Sequence, residues 1–241
     1  SKLKRTQRTD VINSVKGYGN ENIYNKTPGF EIEVDFSKYS LGKHTLVVQV
    51  LKDDKILEKT TKEFTIRKQI QYTTGTYGKT GLNVADKGGR ELKYLKYGTG
   101  KNVFFATFAI HGFEDIWAKD GQELVTIAND FYQKLISDKD FDLAEKWTIY
   151  IFPGVNLDGL NYGSTNNGPG RTTLFSQAPN NKGIDMNRCW QVGSSYTRYT
   201  DNRNYNGTSG FQAYESQYLR DFLLKNKSQN GQTMLVDLHG W

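Results

Sequence analysis

Two of the chain's three histidines stand at the ends of apolar runs. "FFATFAIHGFED" carries His111 at the close of one run, with Glu114 three residues on, and "TMLVDLH" ends on His239. Three chemistries fit the first stretch. The histidine can cap a strand, the acids can open the next helix, or His111 and Glu114 can be two donors to one metal. A catalytic zinc typically takes three protein donors from His and carboxylate and leaves one position for water. His111, Glu114 and His239 would make such a set. Spacing alone does not choose between these readings, because His-x-x-Glu is short and common. His44 lies in a segment of different character and reads as an ordinary surface residue.

These donors need elements to hold them. "NVFFATFAI" is continuously apolar, as a strand buried on both faces should be. "KWTIYIFPGVN" and "TMLVDLH" read the same way, the latter as a central strand. Between them, "GQELVTIANDFYQKLI" sets Leu124, Ala128, Phe131 and Leu135 along one helical stripe, and "AYESQYLRDFLLKNK" turns Tyr218, Leu219, Phe222 and Leu223 inward. Strands alternating with helices predict an α/β domain with a largely parallel or mixed sheet over residues 77–241. In such sheets chemistry gathers where strands end, and the three strands end on His111, Asn156 and His239. A domain seldom stops on a central strand, since covering elements must follow it. The expectation is that the natural sequence continues past Trp241.

Residues 1–68 read as all-β. "FEIEVDF" alternates with period two, "GYGNENIYNKTPGF" is a Gly/Asn/Pro loop, and two further strands meet at an Asp53-Asp54 turn. Residues 69–76 read as a linker. The net charge of +6 comes from scattered residues, without a dense Lys/Arg run or a nucleic-acid motif. That argues against nucleic acid and suits an anionic wall or an acidic substrate. Cys189 is alone, so no intrachain disulfide forms. No apolar run reaches the length of a membrane span.

Five motifs occur in order from about residue 75 to the end: "HGFE", "VNLDGLNYG", "GIDMNRCW", "GFQAYES" and "VDLHGW". In this the chain resembles the zinc carboxypeptidase family, carboxypeptidase A-like metallopeptidases with a mixed α/β sheet, here of bacterial cell-wall type. The resemblance implies that His111, Glu114 and His239 bind one zinc ion. It implies that Arg171 stabilises the oxyanion, and that Asn187 and Arg188 hold the substrate's terminal carboxylate. A planar guanidinium grips a carboxylate through two parallel hydrogen bonds, which lysine cannot do. Glu215 matches an acidic position and reads as structural, and Leu157 replaces the family's proline in the "NLDG" turn. The general-base Glu and a substrate-closing Tyr lie further downstream in the family, so the general base is not in this chain. A positioned base is worth about 10²–10⁴-fold in rate. The expectation is a domain incomplete at its C-terminus that binds zinc, hydrolyses poorly alone, and has the remaining C-terminal part as a partner.

Residues 1–68 resemble a partial Ig-like repeat of the kind preceding catalytic domains in bacterial surface enzymes, which implies an extracellular or wall-associated location. The substrates implied are peptidoglycan stem peptides, with γ-D-glutamyl–diamino acid bonds, or peptide C-termini. The alternative is a non-catalytic module that binds peptide or wall material.

Overall fold

The computed structural model describes residues 3–10, 27, 29–82, 87–114, 117 and 120–239. The chain divides between residues 68 and 69 into two compact units. In the first, β1 (Leu3–Thr6) pairs antiparallel with β2 (Gly29–Ile32), and β3 (Gly42–Lys52) pairs antiparallel with β4 (Lys55–Ile66). Asp53 (φ 48°) and Asp54 (φ 60°) form the turn of the second pair. Two consecutive positive φ values match the right-handed twist of the flanking strands, so the hairpin forms where its acids predict it. "FEIEVDF" is a strand only as far as Ile32. After it Asp35 accepts the Ser37 N–H and starts a 3₁₀ turn at Phe36–Lys38. The loop predicted over residues 17–30 falls largely outside the described residues, as does Asp115.

The second unit is a five-stranded mixed sheet. Its strands are β5 (Tyr72–Lys79), β6 (Glu91–Tyr97), β7 (Asn102–Phe108), β8 (Trp147–Phe152) and β9 (Thr233–Leu238), in the spatial order β5-β6-β8-β7-β9. β7, β8 and β9 run parallel, while β5 and β6 are antiparallel additions. The linker expected at residues 69–76 is therefore corrected. From Tyr72 onward those residues are an edge strand, paired with β6 over Tyr72–Lys79. Their Thr/Gly/Tyr composition hides the strand because an edge carries little apolar burial.

Side chains of the central strands alternate between two cores. Val103, Phe105, Tyr150 and Phe152 pack on one face, against Ile184, Met186, Cys189 and Leu219. Ala106, Phe108, Ile149 and Ile151 pack on the other. That second core is closed by helix α1 (Asp120–Asp138) through Ala128, Tyr132 and Leu135, and by α2 (Phe141–Lys146) through Ala144. Asp140 caps α2 by accepting the Leu143 N–H at 2.9 Å. A short helix α3 (Leu157–Tyr162) follows β8, and α4 (Tyr214–Asn226) precedes β9. On α4, Leu219 is buried and Phe222 and Leu223 partly so. Tyr218 is 40% exposed, its ring lying over Gly78 of β5, contrary to the inward placement expected.

β9 differs most from its reading. It is an edge strand among the described residues, paired only with β7, and Met234, Leu235 and Val236 are 40–55% exposed. Apolarity on both faces predicts a covered strand, but among the described residues this one is exposed from Thr233 to Asp237 and only Leu238 packs on the second core. Among those residues no helix is long and apolar enough to cross a membrane.

Glu215, at the start of α4, is fully buried, and neither carboxyl oxygen meets a hydrogen-bond donor among the described residues. It is thus not the solvated acid common at helix starts. Burial, aided by the nearby charge of Asp158, pushes its carboxyl up to about 8. The folded chain then holds this proton more tightly than the unfolded chain, whose ordinary value is near 4.5. The group's contribution to stability is full below about 4.5 and declines as pH rises towards about 8. Glu215→Gln, with no titrating proton, is expected to unfold at a higher temperature than the parent at pH 8.5, with the gap narrowing at pH 5. Thermal unfolding at both pH values checks this, and a pH-independent gap refutes it.

Candidate metal centre

The site is assembled from strand ends and the loops after them. β7 ends at Phe108, and Ala109 then takes a left-handed conformation (φ 52°). That conformation is costly for a residue with a Cβ and needs surrounding structure to hold it. Here the Ala109 N–H donates to Leu238 O and its carbonyl accepts from Asn156 N, so β9 and the loop between β8 and α3 both hold the turn. The next loop is tied to the segment before Arg171, since the N–H groups of Gly112 and Phe113 both donate to Gly170 O at 2.8 and 3.0 Å. A Cβ on Gly112 would lie 2.5 Å from the Gly159 carbonyl carbon, so only glycine fits between His111 and Glu114.

His111, Glu114 and His239 come together as expected. Each offers a donor atom, and these atoms all lie within 4.8 Å of one another. The two imidazoles meet edge to face with ring centroids 4.8 Å apart. Glu114 Oε1 touches His111 Nδ1 and lies 3.1 Å from His239 Nε2. Two imidazoles and one carboxylate converging from separate strands are a donor set that fits zinc.

Each donor is held from behind. His111 turns Nε2 to the buried carboxylate of Asp185 at 2.8 Å, which leaves Nδ1 for the shared point. Such outer partners fix the tautomer and orientation of a ligating histidine. His239 Nδ1 meets Asp237 Oδ2 at 3.0 Å, and Asp237 Oδ1 accepts from the Thr107 hydroxyl of β7 at 2.7 Å. Asp237 therefore stands behind His239 and ties it to β7. Asp120 accepts the Glu114 N–H at 2.9 Å, and Asn166 donates to Glu114 Oε2 at 3.2 Å.

The charges follow this wiring. Burial pushes the Glu114 carboxyl up, but the hydrogen bonds and charges of His111 and His239 outweigh it and hold the group well below the usual carboxylate range. Burial acts likewise on Asp185 and is outweighed by His111, Arg171 and Arg188, so it too is lowered. His239 is raised to about 9, first by its bond to Asp237 and then by Glu114.

Arg171 is buried beside the triad. Its Nε donates to Asp185 Oδ2 at 2.8 Å, Nη1 to Asn166 Oδ1 at 2.9 Å and Nη2 to Asn204 Oδ1 at 3.3 Å. Of the five guanidinium N–H groups, these bonds leave two for another partner. Asn187 and Arg188 lie in the 3₁₀ turn Met186–Arg188, whose cap is again Asp185, accepting the Asn187 N–H at 2.9 Å. Both line a cavity of about 280 Å³ with Trp190, Val192, Tyr196 and Tyr199. Arg188 is half-buried, its guanidinium 5.8 Å from the Tyr199 ring centre.

Other candidates fall away. His44 bonds to Ser40 O at 2.7 Å and stacks on Phe64 within the first unit. Asn156 carries no chemistry: it caps α3 through Gly159 N and holds the carbonyls of Arg171 and Thr172. Cys189 is buried, its thiol pushed up to about 12 by burial. Sequence reasoning missed Asp120, Asn166 and the pivotal part of Asp185. Only Asp185 carried a signal, its place in "GIDMNR".

Comparison with known proteins agrees with the geometry. The family profile described as zinc carboxypeptidase matches residues 58–241, beginning within β4. The chain is 39% identical over 155 residues to a protein named Bacteriocin BCN5 of Clostridium perfringens, covering 64% of this chain and 16% of that one. It is 31% identical over 144 residues to Zinc carboxypeptidase A 1 of Anopheles gambiae, covering 57% of this chain and 31% of that one. The chain thus spans under a third of either curated relative. Among solved structures, bovine thrombin-activatable fibrinolysis inhibitor in complex with tick carboxypeptidase inhibitor is similar over 70% of this chain and 54% of its own, with a TM-score of 0.52 at 20% identity. The carboxypeptidase A of Helicoverpa armigera covers the same share of this chain and 41% of its own, with a TM-score of 0.50 at 20% identity. At these identities the structures speak for the fold.

Proposed function

Because the chain belongs to the zinc carboxypeptidase family, we propose that it serves a zinc-dependent peptidase acting on peptide bonds near a free carboxylate. The observation that carries this reading is the convergence of His111, Glu114 and His239 on one point. In that site a bound zinc ion would polarise the scissile carbonyl and lower the pKa of its water towards roughly 7. Arg188, with Asn187, takes the substrate's carboxylate in the cavity they line. The two N–H groups left on Arg171 face the carbonyl oxygen as it gains negative charge, pre-aligned by Asp185 and Asn166. The substrate is the stem peptide of bacterial peptidoglycan, with ordinary peptide C-termini as the competing class. The relative named a bacteriocin supports a bacterial target. The all-β unit is then an Ig-like spacer in an extracellular, wall-associated protein.

A second reading, a module that holds peptide without cutting it, is favoured by one observation. Asp120, Asp185 and Asp237, the further carboxylates beside the triad among the described residues, already have partners there: Asp120 accepts the Glu114 and Gly121 N–H groups, and Asp185 and Asp237 meet the donor histidines. Each thus reads as a support of the site rather than as a base held ready for water.

Binding and turnover separate the readings. The zinc-loaded protein is expected to bind a peptide with a free terminal carboxylate more tightly than its amide. Arg188→Lys is expected to weaken that binding about 10–100-fold, since a charge-assisted hydrogen bond is worth roughly 1.5–3 kcal/mol. Equal affinity for acid and amide refutes the carboxylate pocket. Release of diaminopimelate-containing fragments from wall digests, or of amino acids from peptides, identifies the substrate. Binding without either product leaves the module.

A further inference from the structure

Asn166 is 94% buried, since its relative exposure is 6%, although it stands in the loop between α3 and the 3₁₀ turn at Gly168–Gly170. Its side chain spans two charged groups. Nδ2 donates to Glu114 Oε2 at 3.2 Å, and Oδ1 accepts from Arg171 Nη1 at 2.9 Å. The neighbours fix which end is which. An ionised carboxylate only accepts and a guanidinium only donates, so the amide can satisfy both in one orientation. Arg171 in turn donates to Asp185, which holds His111. A closed path results: Glu114, Asn166, Arg171, Asp185, His111 and back to Glu114. Two of the three metal donors are thereby tied to one arginine, one through a carboxylate and the other through an amide.

We infer that Asn166 is a positioning residue for the metal centre, orienting the Glu114 carboxylate and coupling it to Arg171. The role rests on the reading of His111, Glu114 and His239 as zinc donors. Glu114 must present Oε1 to the shared point, and a donor on Oε2 is what stops the carboxylate rotating about its last bond. Without it the carboxylate loses its fixed aim, and Arg171 loses the partner that holds Nη1. Outer partners of this kind are worth about 10–100-fold in metal affinity.

Two variants of the full chain separate positioning from packing. Asn166→Asp keeps an acceptor for Arg171 but has no donor for Glu114 and sets a second negative charge beside it. Asn166→Leu keeps the volume and loses both bonds. Zinc affinity is read by chelator competition, the donor geometry by the visible absorption of the cobalt-substituted protein, and the fold by thermal unfolding without metal. Both variants are expected to bind zinc about 10–100-fold more weakly with an altered cobalt spectrum, while Asn166→Asp unfolds within a few degrees of the parent. Parental zinc affinity and cobalt spectrum in Asn166→Asp overturn the inference, even if Asn166→Leu is unstable. If the parent itself binds no zinc, the reading of the metal centre fails first, and the positioning role falls with it.

Discussion

His239→Ala is expected to lose tight zinc binding while keeping its fold. The imidazole is one of three donors, and it lies partly open to solvent, with its side chain 30% exposed, so removing it leaves no large cavity. Protein zinc sites bind with apparent free energies of roughly 10–16 kcal/mol. Shared among three donors, that puts one at about 3–5 kcal/mol, a site some 10²–10⁴-fold weaker. Asp237 stays tied to β7, since its Oδ1 accepts from Thr107 at 2.7 Å. His44→Ala is the control, since His44 bonds only within the first unit. Metal content after dialysis, followed by competition titration, reads the result. One tightly held zinc per chain in His239→Ala would show that the ion sits elsewhere. The affinity should also rise with pH in the parent. His239 keeps its proton up to about 9, and a donor imidazole must release that proton to bind a cation.

Asp185→Ala is expected to cost about 3–5 kcal/mol of stability, the range for breaking a buried ion pair from one side. Asp185 is fully buried and serves three donors: His111 Nε2, Arg171 Nε and the Asn187 N–H. Removing its carboxylate leaves the Arg171 guanidinium, 5% exposed, without its ion-pair partner. The double variant Asp185→Leu with Arg171→Met should recover much of the stability, because apolar residues of similar volume often replace a buried pair without loss. It should not recover zinc affinity, because His111 still lacks its outer partner. Urea unfolding at pH 7 measures the first effect and chelator competition the second. A loss of less than about 1 kcal/mol in Asp185→Ala would mean that the pair is solvated in solution and does not organise the site.

Much of this centre was legible because its donors sit where local patterns change. An apolar run that stops on a histidine marks a strand end, and strand ends are where parallel sheets place chemistry. The His-x-x-Glu spacing then limits how far the second donor can be. The supports were not legible, because they are contacts between distant residues: 74 positions separate His111 from Asp185, and 52 separate Glu114 from Asn166. No periodicity encodes such pairs. Among the described residues β9 has fewer neighbours than its apolarity suggests, for a related reason. Apolarity records what a strand is suited to touch, and does not say which neighbours stand beside it. Tyr72–Lys79 shows the converse, a strand whose pairing with β6 is complete although its composition reads as a connector.

The position of β9 has a further consequence for how the centre comes into being. Among the described residues, His239 follows a strand paired along one side, by six residues of β7 from Val103 to Phe108. Side chains on a strand alternate with period two, so a slip of one residue would carry His239 to the opposite face of the sheet. The third donor therefore arrives only when β9 docks in register, and fraying of that strand withdraws it. A cation that binds all three donors favours the docked state over the frayed one in proportion to its excess over the dissociation constant. The ion would thus act as a clasp on the docking of β9 as well as a reagent.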